Sequence, residues 1–69
     1  MAQITLIGGL MHQTKESKEE IIELIEGDKQ FIFIESRQTV SVYVNACMDE
    51  TKVEWWIIAV NKNHIIQVF

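Results

Sequence analysis

Two residues in this sequence could form a nucleophile and its base. Cys47 is the lone cysteine and His64 is one of two histidines. A thiol working this way needs its imidazole held by a third group, and amide donors for the developing oxyanion. Nothing local in the sequence supplies either. The plain alternative is a small buried thiol and an imidazole at the start of a strand. A metal site built from His12, Cys47 and His64 lacks the paired short spacings of zinc ligands. Six of the ten acids fall between Glu16 and Asp28, a pattern that reads as the wet side of a helix. Gly8-Gly9 lacks the further glycines and the Lys-Ser/Thr of a phosphate loop. No catalytic residue, metal or cofactor is therefore expected, and the chain is read as no enzyme.

Trp55-Trp56 is more informative. Adjacent residues of a strand point to opposite faces, so one indole is core and the other is not. An exposed Trp56 beside Tyr43 and Ile58, with Arg37 or Asn45 nearby, could stack on and hold a nucleotide-like ligand. The same aromatic cluster equally suits a subunit interface, where Trp and Tyr are enriched. Arg37, Tyr43, Asn45, Trp56 and Ile58 are thus the candidate ligand- or partner-binding residues.

The elements that must position them can be read in turn. Short apolar runs on either side of Gly8-Gly9 predict a hairpin with a tight primed turn. Ser17-Lys18-Glu19-Glu20 has the form of a capping box. Ile21, Ile22, Leu24 and Ile25 follow on one stripe, with Glu16, Glu19, Glu23 and Glu26 opposite. Gly27 is the natural stop. The helix is expected over about 17–26, and strands over about 2–7, 10–14, 30–36, 39–48, 53–60 and 64–69. Asp49 to Lys52 reads as a turn. A turn centred on Glu50-Thr51 sets Asn45 opposite Trp56 and Tyr43 opposite Ile58. One face is then Val40, Val42, Val44, Ala46, Trp55, Ile57 and Ala59, a core the helix can cover. The other carries Tyr43, Asn45, Cys47, Trp56, Ile58 and Val60. Phe31 to Ile34 likewise puts apolar groups on both sides. The expected fold is α+β: one domain over 1–69, with a largely antiparallel sheet of five to six short strands and one amphipathic helix packed on one face.

The chain is 69 residues and 8.0 kDa, too small for a doubly wound nucleotide-binding fold or a two-domain cleft. Its hydrophobic fraction of 48% and mean hydropathy of +0.08 exclude intrinsic disorder. The net charge of -4, with scattered cations, argues against DNA or RNA as a partner. No basic leader and no apolar run of membrane-spanning length is visible, so a soluble, cytoplasmic protein that avoids membranes is expected. A core this small gives only ~3–5 kcal/mol, and with one cysteine no intrachain disulfide can help. One helix cannot cover two apolar sheet faces, so a second copy is the expected cover.

Ile4-Thr5-Leu6-Ile7-Gly8-Gly9, Glu16-Ser17-Lys18-Glu19-Glu20-Ile21-Ile22, Phe31-Ile32 and Val60-Asn61-Lys62-Asn63-His64-Ile65-Ile66 together resemble a loose group of short proteins from phages and Gram-positive bacteria. The stretch from Val40 to Trp56 departs from that pattern, as an added hairpin. The shared motifs are structural and carry no catalytic residue. The resemblance implies a phage-encoded counter-defence role in the host cytoplasm, by binding a host defence protein or sequestering a signal nucleotide. The expected function is a non-catalytic homo-oligomeric binding module. The alternatives are a minimal Cys47/His64 hydrolase and a purely structural oligomer.

Overall fold

A computed structural model describes residues 1–45 and 48–69, with side-chain surroundings outside 43–49. The element order is β1 (Ala2–Leu6), β2 (Met11–Thr14), α1 (Lys18–Glu26), β3 (Phe31–Asn45), β4 (Met48–Asn61), a 3-10 turn η1 (Lys62–His64) and β5 (Ile65–Val68). The strands form one antiparallel sheet in the order β4-β3-β2-β1-β5. The α+β class is as expected.

The β1–β2 connection differs from the expected primed turn. Gly9 N–H donates to Leu6 O at 3.0 Å, which makes Ile7 and Gly8 the central pair. A primed type I turn would need positive φ at Ile7, and only Gly8 (φ +94°) and Gly9 (φ +87°) have it. The two glycines serve successive left-handed positions of a longer loop.

The helix begins as its sequence requires. The Ser17 side chain accepts from Glu20 N–H, and the Glu20 carboxylate accepts from Ser17 N–H. It ends at Gly27, in extended backbone, whose N–H donates to Leu24 O. Of the apolar stripe, only Ile21 is fully buried. It joins Ala2, Ile4, Ile32, Ile34 and Val60 in the core cluster, with Ile25 and Ile58 packed against it.

The β3–β4 hairpin departs furthest from expectation. Strands expected at 30–36 and 39–48 are one fifteen-residue strand, and Asp49 to Lys52 belongs to the fourteen-residue β4. The expected turn at Glu50-Thr51 does not exist. Phe31 faces Asn61, Ser36 faces Trp56, Arg37 faces Trp55 and Val42 faces Glu50. This register pairs even with even numbers, whereas the expected one paired even with odd. Such a change moves every side chain of one strand to the other face. The core side therefore carries Ile32, Ile34, Ile58 and Val60, while Ile57 and Ala59 stand exposed on the opposite side. Trp55 lies on that opposite side and Trp56 on the core side, the reverse of expectation.

β5 follows β4 after only the three residues of η1, yet it pairs with β1 at the other end of the sheet. The sheet must curl for this to happen. Ile7 N–H donates to His64 O at 2.8 Å, and a cavity of about 360 Å³ is lined from both ends by Leu6, Leu10, His12, Ile58, Val60 and His64. The hairpin projects from this curled base and accounts for the 49 × 22 × 19 Å shape.

Candidate functional site

The hairpin arm presents two unlike sides, both set by strand alternation. On the odd-numbered side, Phe31, Phe33, Val53 and Ile57 are exposed; Phe33 is 64% and Ile57 72% in solvent. Phe33 faces Ala59, Glu35 faces Ile57 and Arg37 faces Trp55, so these residues form one strip. At ~200 Å² per aromatic side chain, Phe31 and Phe33 alone leave on the order of 200 Å² in water. Their inner flank borders a groove of about 460 Å³ that also meets Leu24 and Gly27 at the end of α1.

On the even-numbered side, the core gives way to polar groups. Ser36 is fully buried, its Oγ 3.0 Å from His12 Nδ1, and Gln38 Nε2 donates to the same oxygen at 3.1 Å. A serine beside an imidazole resembles a nucleophile with its base. Ser36 Oγ, however, is sealed from any substrate and its hydrogen bonds are used within the sheet. The pair satisfies a buried hydroxyl where β2 meets β3. Opposite Ser36, Trp56 is 50% exposed, and its Nε1 donates to Glu54 Oε2 at 3.0 Å. Lys52 Nζ lies 3.3 Å from the other Glu54 oxygen. The Trp56 hydrogen bond, and then Lys52, hold the Glu54 carboxyl below the usual carboxylate range.

The five expected site residues do not converge. Trp56 and Ile58 share the even side, with Ile58 half-buried against the core. Arg37 is on the odd side, donating to Gln13 Oε1 at 2.9 Å. Tyr43 faces Asp49 and Asn45 faces Met48, near the far end of the arm, so neither adjoins Trp56 or Ile58 as expected. Their side chains, and Cys47 entirely, lie outside the described residues. Met48 and His64 stand at opposite ends of β4, which at ~3.3 Å per residue spans about 45 Å. Among the described residues, no group of three or more His, Cys, Asp or Glu side chains converges as a metal site would. Among the described residues, no helix is long and apolar enough to cross a membrane.

Two features of the surface and the sheet edge are not evident from the sequence alone. The odd-side strip was signalled by the alternation of Phe31, Ile32, Phe33 and Ile34, but its partner Ile57 needed the register. The other is Glu16. Expected on a solvated helix side, it instead turns its carboxylate onto Glu35 N–H, with both oxygens at 3.1 Å. This carboxylate takes up a β3 amide just beyond the end of β2. The other acids from Glu19 to Asp28 are exposed.

The chain matches no known protein-family model, no curated protein and no solved structure.

Proposed function

We propose that this protein is a non-catalytic binding module that works as a homo-oligomer. The observation that carries the reading is the exposed odd-side strip of Phe31, Phe33, Val53 and Ile57. With Ile57 added, the exposed apolar area approaches several hundred Å², the scale of an interaction surface. A two-stranded ribbon is also marginal by itself in water, and this arm runs well past the short strands behind it. A second copy covering the strip supports both. In this reading α1 covers the even side through Ile21, and the oligomer covers the odd side.

The resemblance to short phage proteins gives the reading its setting, counter-defence in the host cytoplasm. Of the two targets it implies, the placement of Arg37 and Trp56 on opposite faces favours a host protein over a nucleotide. The indole that would stack a base has the Glu54 carboxylate beside it, where an anionic ligand would be repelled.

Sedimentation velocity of the wild type and of Phe33→Ser/Ile57→Ser tests the reading. The expected result is a wild-type oligomer that dissociates on substitution with its circular dichroism retained. An unchanged sedimentation coefficient in the double variant would remove the strip from the account.

A further inference from the structure

The geometry points to the outer edge of β4 as a strand-pairing site for β4 of a second copy, in antiparallel register centred on Val53. This rests on the homo-oligomer reading above and adds an edge contact to the face-to-face contact that covers the odd-side strip.

Backbone directions come first. Lys62 N–H donates to Gln30 O at 2.9 Å, so positions 30 and 62 form a hydrogen-bonded pair of the ladder. Such pairs alternate with pairs whose N–H and C=O groups turn outward. Even-numbered β4 residues therefore bond to β3, and Thr51, Val53, Trp55 and Ile57 turn their backbone groups away from it. The opposite edge of β3 agrees: Lys15 N–H donates to Glu35 O at 2.9 Å, from the β2 side.

β4 ends the strand order, so those outward groups have no partner strand among the described residues. Natural edges are blunted by proline, bulges or inward charges. This chain has no proline, and β3–β4 pairing runs from Phe31–Asn61 to Tyr43–Asp49 without a register shift. The edge does carry charge, in the alternation Glu50, Lys52, Glu54 along one side. Against its own inverted copy, that alternation limits the register. Centred on Val53, each Lys52 faces the other copy's Glu54. With partners shifted by two residues either way, Lys52 meets Lys52, or Glu54 meets Glu54. Centred on Thr51, Lys52 meets Glu50 instead, but only residues 48–54 of β4 then pair, against 48–58 in the Val53 register. Shifts by an odd number of residues are excluded because only outward-turned residues can bond across the edge. Lys52 and Glu54 are both accessible for this, with side chains 60% and 39% in solvent. The chosen register sets Val53 against Val53 and joins the odd-side strips of the two arms into one larger surface, which the edge contact leaves open for the copy that covers it face to face.

Charge reversal tests the pairing, by sedimentation equilibrium at low ionic strength. Lys52→Glu places acids opposite acids twice per dimer, and Glu54→Lys places bases opposite bases twice. Each variant alone is expected to dimerise about tenfold more weakly, from two lost cross-strand charge pairs. Mixed in equal amounts, the two are expected to form a heterodimer of wild-type affinity, because the acids of one meet the bases of the other. The Lys52–Glu54 pair within one chain cannot produce that rescue. Unchanged dimers in the single variants, or no rescue on mixing, overturn the β4 interface. If Phe33→Ser/Ile57→Ser still dissociates the oligomer in that event, the homo-oligomer reading stands and only the edge is wrong. A wild type that stays monomeric overturns both.

Discussion

Ile21 is the anchor of α1, and two conservative substitutions separate it from its neighbour. A nine-residue helix is too short to hold itself in water, so α1 depends on docking. Ile21 is fully buried in the Ile4, Ile32, Ile34 and Val60 cluster, while Ile22 is 37% exposed. Ile21→Ala deletes enough buried carbon to cost ~2–5 kcal/mol, against a whole-domain stability of ~3–5 kcal/mol at this size. That variant is expected to be largely unfolded. Ile21→Val leaves a measurable protein: one buried methylene costs ~0.5–1.5 kcal/mol, and each 1 kcal/mol lowers Tm by roughly 4–8 °C in a domain this small. The same deletion in Ile22→Val should cost less than about 0.5 kcal/mol. Circular dichroism melts of both variants, at one protein concentration because association shifts Tm, decide the matter. Equal losses, or a larger loss at Ile22, would mean the helix is rotated by one position and the core is assigned wrongly.

Other substitutions probe the remaining parts of the fold. Glu16→Ala leaves Glu35 N–H without its carboxylate partner and is expected to cost ~1–3 kcal/mol in urea unfolding; Glu16→Gln, which keeps an acceptor, should cost less. Gly8→Ala meets no atom within 4 Å, so its cost is the left-handed backbone alone, about 1–2 kcal/mol. A Tm equal to the wild type's would contradict the loop geometry. The Glu54 carboxyl, followed by NMR against pH, should titrate below the ordinary range, and Trp56→Phe and Lys52→Met should each raise its midpoint. Its folded pKa is depressed, so whatever stability it lends is present above the unfolded pKa and fades as pH falls through the folded one. A midpoint unmoved by Trp56→Phe would refute the indole–carboxylate bond.

The helix start was legible because a capping box is satisfied by neighbours in sequence, and Ser17 and Glu20 need nothing distant to bond each other. The pattern of Ile32 and Ile34 against Phe31 and Phe33 was legible for the same reason. The long hairpin was not. Asp49 to Lys52 is polar and reads as a turn, yet the arm residues beyond the core whose surroundings are described are exposed or half-buried, so polar residues can stay in strand there. Arg37-Gln38 falls between the two strands expected at 30–36 and 39–48. It continues β3 because Ser36 is satisfied by His12 and Gln38, contacts that require β2 to be in place. With the turn misplaced, the register changed parity, and the two tryptophans exchanged sides. The candidate site inherited that error: Trp56 is half-exposed as expected, but Tyr43, Asn45 and Arg37 are not its neighbours.

The proposed role depends on this protein associating with itself. Size-exclusion chromatography with light scattering, on the wild type at rising concentration, measures that directly. The predicted result is a mass at a multiple of the 8.0 kDa chain, falling toward one chain only on dilution. A mass of one chain at every concentration would contradict the central claim and leave the Phe33–Ile57 strip without the partner assigned to it.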